Sequence, residues 1–467
     1  MRVVLINPPC LTEAEKHWAG YLNLGLGYIA ASLLASGREV TIVDAKLEGL
    51  NLEETVNRAV ATSPDLIGIT VMTVEFPLVV AIAERIKSRR HAPIIIGGAH
   101  CNAVGSSTLH ECRAIDYCCY GEGERLLVEL AQCIEEGGPY GAIKGLIYRQ
   151  NSEVITNPSR PYLDNYDCLP FPAWHLFPKT SQIPLLTHRG CPFHCIFCSH
   201  NSGHEPRYRS VENTLSEMEH IIGCYNPTLV RFEDETFGLH LERTKEIISG
   251  IIKRGFHLRT HFHAQTRVDC IDDEFMLLLK AANFEFIELG VESGNDDVLK
   301  RIKKGISLAQ VEVAVAMARR HGLKVWCKFI LGHPLETREN MSDTIRFISH
   351  LNPDRLSVSI MTPYPGTPIY EMARKGKGGY RLLADDWESF DKYSGAILEF
   401  DNVTLTHIKW LQIWCFLRLY LSNWRLYDLL RLALKQHILI VRMARGFLQQ
   451  VLSDFVCRIR KLRGINS

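Results

Sequence analysis

With 467 residues, a net charge of +1 and a mean hydropathy near zero, the chain has length for two or three domains with real cores. That balance excludes a bulk field for gathering nucleic acid or an acidic partner, and no charge-free apolar run is long enough to span a bilayer. Fifteen cysteines scattered through an ordinary globular composition read as reduced thiols in a cytoplasmic protein, not as a secreted disulfide framework. The start, Met1-Arg-Val-Val-Leu-Ile-Asn-Pro-Pro-Cys10, is a short apolar run ended by Pro-Pro, which reads as a first strand and not as a signal peptide.

Residues 1 to about 135 alternate strand patterns (3–7, 39–44, 66–71, 93–97 and a short 116–119) with helical ones (21–36, 52–62, 78–87 and 124–135). Such alternation predicts a parallel, doubly wound sheet that binds ligands at the carboxyl ends of its strands, in loops 8–20, 44–49, 70–76, 97–103 and 121–124. From 137 to 182 Pro and Gly punctuate the chain, which predicts a linker with little core of its own and a hairpin around 145–156. Between 183 and 372 six strand patterns (183–187, 228–232, 259–263, 286–291, 324–331 and 355–360) alternate with helices, the pattern of a (β/α) barrel whose function sits at the strand ends. Polar clusters fall there: Glu233-Asp234-Glu235, His261 to Arg267, Glu288 to Gly294, Gly332 to Thr337 and Pro363 to Thr367. From 373 onward a helical region is expected, at 409–421, 426–442 and 446–460. From Val403 to the end it carries eleven Lys or Arg against Asp428 and Asp454, with Trp410, Trp414, Tyr420 and Trp424. These helices either close the open side of the barrel or cover substrate, or they lie on an anionic membrane surface.

The densest chemical signal is Thr187-His-Arg-Gly-Cys191-Pro-Phe-His-Cys195-Ile-Phe-Cys198-Ser-His200. Three cysteines at C-x3-C-x2-C can present three thiolates to one iron–sulfur cluster, leaving one iron open for chemistry. A Cys3His zinc site using His194 or His200, or three free core cysteines, are the other readings of these residues. His261, His263 and His333 sit at strand ends, where a histidine is more often hydrogen-bonded framework than a proton carrier, so no catalytic residue is assigned.

C-x3-C-x2-C with Phe197 before the last cysteine resembles the motif of radical S-adenosylmethionine (SAM) enzymes. The resemblance implies a [4Fe-4S] cluster on Cys191, Cys195 and Cys198, SAM chelated at the open iron, and its cleavage to a 5′-deoxyadenosyl radical. It also implies a partial (β/α)6 barrel, an electron donor such as flavodoxin or ferredoxin, and Phe197 against the adenine. The expected SAM contacts are Asp234 or Glu235 to the ammonium, Arg267 to the carboxylate, Glu292 and Ser293 to ribose or amino acid, Gly332 beside adenine, and Gln265.

Asn7-Pro8-Pro9, Gly68-Ile-Thr70-Val-Met72-Thr73, Gly97-Gly98-Ala99-His100 and Gly121-Glu122-Gly123-Glu124 resemble the cobalamin-binding domain that precedes the radical domain in one large subfamily. That implies cobalamin contacts from Thr70, Met72, Thr73, Gly97, Gly98, Ala99, Gly121 and Glu122. Lys46 stands where the better-known cobalamin motif has histidine, so cobalamin is bound without a lower histidine or not at all. The implied domains are 1–136 cobalamin-binding-like, 137–182 linker, 183–372 radical barrel and 373–467 mostly helical. The implied function is cobalamin-dependent C-methylation of an unactivated carbon in a small-molecule or natural-product substrate. Radical cyclisation or ring rearrangement without methyl transfer, and a non-catalytic cobalamin sensor or scaffold, are the alternatives. Methylthiolation of transfer RNA fits poorly, because Cys101, Cys112, Cys118 and Cys119 do not form the second cluster set that it needs.

Overall fold

The computed structural model describes residues 1–11, 21–383, 386–391 and 397–435. Most of loop 8–20 and the expected helical stretches 436–442 and 446–460 lie outside the described residues. The chain packs as two compact units, one of 1–193, 199–264 and 281–284, the other of 194–198, 265–280 and 285 onward.

In the first unit β1 (Arg2–Asn7), β2 (Glu39–Asp44), β3 (Leu66–Thr70), β4 (Ile94–Gly97), β5 (Tyr117–Cys119), β6 (Leu146–Gln150) and β7 (Glu153–Thr156) form one sheet, ordered β2-β1-β3-β4-β5-β6-β7. The first five strands pair parallel and β6 and β7 add antiparallel. Val3 to Ile6, Ile67, Ile69 and Ile94 to Ile96 are buried, as a parallel sheet covered on both faces requires. Crossover helices include Leu52–Ala61, started by an Asn51/Glu54 capping box, and Gly123–Glu136, ended by Gly137 in the left-handed region. The strand order reverses between β1 and β3, and the crevice beyond those carboxyl ends is the binding position of this architecture.

The expectation of a nearly coreless linker is corrected. β6 and β7 extend the sheet, Leu163, Tyr166 and Leu169 bury with Tyr28 in one cluster, and Trp174 is fully buried. Pro and Gly set the turns here, but isolated large apolar residues between them supply the anchors that periodicity cannot reveal.

The same unit continues with β8 (Gln182–Leu185), β9 (His188–Arg189), β10 (Arg207–Tyr208), β11 (Leu229–Phe232) and β12 (His261–Thr266). β11 pairs parallel with β8 and with β12, while β9 and β10 form a short antiparallel clasp. β12 begins two residues later than the expected 259–263, because Gly255 in the left-handed region and a 3₁₀ turn at Phe256–Leu258 delay the extended chain. Gln265 therefore lies inside the strand.

In the second unit β13 (Phe284–Glu292), β14 (Lys324–Leu331) and β15 (Arg355–Ile360) pair parallel. Alternate residues of β14 (Val325, Cys327, Phe329 and Leu331) are buried, the period of a strand packed by helices on one face. A hairpin of β16 (Tyr380–Leu382) and β17 (Leu398–Phe400) follows, then helices Leu405–Ser422 and Leu426–Lys435. Helix Leu405–Ser422 packs on β15 and on helix Arg338–Leu351, burying Ile408, Leu411, Cys415 and Leu419, and Gln412 Nε2 donates to the Val358 carbonyl at 2.8 Å. Among the described residues no helix is long and apolar enough to cross a membrane.

Gly294, after β13, shows why a small residue is needed at a strand end: a Cβ there would lie 2.6 Å from Thr344 Cα and 2.7 Å from Phe347 Cβ. Gly294→Ala should cost about 2 kcal/mol by overpacking, read as a lower denaturation midpoint with unchanged m-value.

Candidate active site

The three cysteines sit on a loop whose entry is held by charge. β8 ends at Leu185, and the Asp234 carboxylate accepts from Thr187 N at 2.7 Å, His188 N at 3.0 Å and Thr187 Oγ1 at 2.9 Å. Arg189 follows, bridged to Glu124 at 2.6 Å and Glu122 at 3.4 Å and lying over the rings of Tyr166 (4.7 Å) and Tyr28 (5.2 Å). Arg207, on the return strand, pairs with Glu122 at 2.9 Å and covers Tyr162 at 4.2 Å. Burial pushes the Glu122 carboxyl up, but the Tyr166 hydroxyl, the Leu163 N–H and both arginines bring it below the usual carboxylate value. Gly190 takes φ +93°, and a Cβ on it would stand 2.3 Å from the Glu205 carbonyl oxygen. Cys191 N then donates to the Gly203 carbonyl at 3.1 Å.

Beyond the carboxyl ends of the first sheet lies a cavity of about 430 Å³. Thr70, Gly97, Gly98, Ala99, Gly121 and Glu122, six of the eight residues expected to contact cobalamin, line it. Leu5, Gly68, Ile95 and Leu127 form an apolar recess between the strands, and Leu186, Arg189, Asn201, Ser202, Glu233 and Glu235 line the same space from the loop side. Met72 and Thr73 do not line it: the Met72 side chain is exposed, and Thr73 Oγ1 faces His100 Nδ1 at 3.4 Å. Lys46 binds Glu75, whose second oxygen accepts from Met72 N at 3.0 Å, so the position lacking histidine is closed by an ion pair. His100 is buried, which pushes it down to about 4 and keeps it neutral. An apolar recess, bare glycine backbone and a polar rim suit a large flat ligand with a tail, held without an imidazole from position 46. Asn201 and Ser202 were not foreseen; lying between the last cysteine and β10, they carry no motif.

In the second unit Cys198 N donates to the Cys195 carbonyl at 3.1 Å, and Ile196 N to the Ile302 carbonyl at 3.1 Å. Arg267 forks onto Asp269 at 2.9 and 2.8 Å, donates to the Lys304 carbonyl at 2.7 Å, and brings Nη1 to 3.9 Å from Cys195 Sγ. A guanidinium at that sulfur favours thiolate, the form that binds iron. Gln265 accepts from Lys328 Nζ at 2.8 Å. Glu292 holds φ +75°, a conformation that a non-glycine residue keeps only when its surroundings enforce it. They do: its carboxylate pairs with Lys304 Nζ at 2.8 Å and its carbonyl accepts from His333 Nε2 at 3.2 Å. Burial pushes His333 down to about 4, so it donates as neutral imidazole, its ring 6.3 Å from Phe197.

Four of the expected SAM contacts also bond within the protein. Asp234 secures the backbone after β8, and Arg267 is forked onto Asp269 beside the cysteine. Ser293 is buried with its hydroxyl 3.3 Å from Thr344 Oγ1. Gly332 is gripped on both sides: its N–H donates to Glu336 Oε2 at 2.7 Å and its carbonyl accepts from the Tyr380 hydroxyl at 2.7 Å. A Cβ there would meet the Phe400 ring at 2.8 Å, so the turn leaves no room for a side chain on that side. Among the described residues no three His, Cys, Asp or Glu side chains are arranged to hold a single metal ion.

Two consequences are measurable. Arg189→Met should strand the buried Glu124 carboxylate and cost about 3 kcal/mol in denaturant unfolding. Burial pushes Glu336 up to about 7, above its unfolded value, so the native state holds its proton longer than the unfolded chain does. As pH rises from 5 to 8 the protein should therefore lose about 2 kcal/mol of stability relative to Glu336→Gln, whose amide oxygen still accepts both backbone bonds.

Residues 185–348 match the Radical SAM superfamily and residues 21–131 match the B12 binding domain. An uncharacterized methyltransferase of Pyrococcus horikoshii is 32% identical over 84% of this chain and 86% of its own length. The anaerobic magnesium-protoporphyrin IX monomethyl ester cyclase of Rubrivivax gelatinosus is 24% identical over 79% of this chain and 70% of its own. Among solved structures, the radical S-adenosylmethionine methyltransferase TsrM of Kitasatospora setae, with cobalamin and a [4Fe-4S] cluster bound, superposes with a TM-score of 0.71 at 20% identity, over 82% of this chain and 77% of that one. The α/β fold, the thiolate loop and the glycine-lined cavity agree with these relations, and the chain belongs to the cobalamin-dependent radical SAM enzymes, with a [4Fe-4S] cluster, SAM and cobalamin as its cofactors.

Proposed function

We propose that the chain is a C-methyltransferase that delivers a methyl group to an unactivated carbon of a small-molecule or natural-product substrate. The observation that carries this reading is the shared cavity: the same space is lined by first-sheet strand ends and by Leu186 and Arg189, which lead directly into Cys191. A methyl donor held there would lie beside the loop that carries the radical chemistry. The Pyrococcus relative, named a methyltransferase, supports the same reading. Domain borders at 136, 182 and 372 belong to this proposal.

When bound, cluster and SAM supply a carbon radical that abstracts hydrogen, and cobalamin supplies the methyl group. Cys191, Cys195 and Cys198 hold the cluster, and Arg267 keeps the Cys195 sulfur in its binding form. Glu235, Phe197, Gln265 and Glu292 are the side chains offered to SAM. The apolar walls of Leu5, Ile95, Leu127 and Leu186 exclude water from the cavity. Arg189 fixes the loop relative to the first sheet, and an external one-electron donor such as flavodoxin or ferredoxin supplies the reducing electron.

Anaerobically reconstituted protein, given SAM, a reductant and fractionated cell extract, should release S-adenosylhomocysteine and 5′-deoxyadenosine in roughly equal amounts. Deoxyadenosine without S-adenosylhomocysteine would sink methyl transfer in favour of the cyclisation named for the Rubrivivax relative. Cys195→Ala should lose the brown absorption and both products.

A further inference from the structure

A second cavity of the first unit, about 500 Å³, is lined by the first turn of helix Gly123–Glu136, by Lys144 and by the chain from Arg160 to Asn165. Its cations are Arg125, Lys144 and Arg160, and Asp164 is the one acid among its lining residues. Arg160 is committed, forked onto Glu129. Arg125 and Lys144 are exposed, and neither meets a carboxylate at ion-pair distance among the described residues; Arg125 Nη2 lies 3.8 Å from the Cys168 sulfur. Two tyrosines add exposed rings. Tyr162, 40% exposed, lines the cavity, and Tyr120, 41% exposed, donates its N–H to Gly145, which packs against Arg160. Tyrosine and arginine gathered on one surface are the residues on which protein contacts most often depend.

The place of this surface indicates what it meets. The Tyr162 ring closes on Gly203, where a Cβ would lie 2.7 Å from it, and the Gly203 carbonyl accepts from Cys191 N at 3.1 Å. One residue thus separates a solvent-exposed aromatic ring from a cluster ligand. Cleavage of SAM to methionine and a 5′-deoxyadenosyl radical consumes one electron, and no amino-acid side chain is reducing enough to supply it. The electron must therefore reach the cluster from a second molecule, and transfer between proteins falls steeply with distance. Electron-transfer partners meet through small faces and are steered together by opposite charge.

We infer that the surface of Arg125, Lys144, Tyr120 and Tyr162 is the docking face for an acidic one-electron carrier protein. At this face the carrier is oxidised by one electron and the cluster is reduced by one, with no bond made or broken. The inference rests on the proposed external donor and is independent of methyl transfer.

The test is anaerobic stopped-flow reduction of the full-length, cluster-loaded protein by reduced flavodoxin, followed as loss of the cluster's visible absorption. The second-order rate constant is expected to fall with added salt, and to fall about tenfold in the double variant Arg125→Glu, Lys144→Glu. Reduction by dithionite, a small reductant that needs no docking face, should stay at the wild-type rate. Carbodiimide should cross-link Lys144 of the wild type to a flavodoxin carboxylate, a readout that requires no turnover. A double variant that flavodoxin reduces as fast as the wild type overturns the docking face and leaves the external donor standing. A wild type that dithionite reduces and flavodoxin and ferredoxin do not overturns both. Equal slowing with dithionite and flavodoxin would trace the effect to the cluster itself and overturn the docking face as well.

Discussion

The cluster loop depends on a buried knot of charge. Arg189 stands immediately before Gly190-Cys191 and is held by Glu122 and Glu124, the N-cap and first-turn carboxylates of the helix after β5. Ions taken out of water are stable only with close partners and filled hydrogen-bonding positions, so such a network admits few geometries. Tyr28 and Tyr166 wall it with aromatic faces, and Arg207 ties the returning chain to the same Glu122. Gly190 and Gly203, both at positive φ, then let the loop close against Glu205 and Tyr162. The first cysteine is thus positioned from the sheet whose strand ends line the cavity.

A second theme is how much of the polar apparatus at the strand ends serves geometry. Asp234 and Glu336 each accept two backbone N–H groups from consecutive residues. Arg267 reaches a cysteine sulfur while forked onto Asp269, and Lys304 holds Glu292 in a backbone conformation it would otherwise leave. These residues act on cofactors through the positions of others. Glu235, lining the cavity, is the one of the expected acidic pair left facing ligand space.

The fold was largely legible because parallel strands buried on both faces appear as short apolar runs, and amphipathic helices separate them. The cysteine spacing and the paired glycines carried the cofactors for the same reason: few other residues can do that local chemistry. Legibility failed where the cause lies at a distance. Ser293 and Gly332 sit in motif-like runs, yet Thr344 and Tyr380, 51 and 48 residues further on, determine what they do. The linker's core depends on Tyr28 of the first domain, which no local pattern announces.

The grip on Gly332 bears on how such enzymes diversify. Tyr380 and Phe400 reach back from the C-terminal hairpin to the turn after the fifth barrel strand, so that hairpin belongs mechanically to the barrel it follows. Exchange of C-terminal segments between related enzymes would succeed only when the hairpin travels with a matching turn, or when the crossover falls after Phe400.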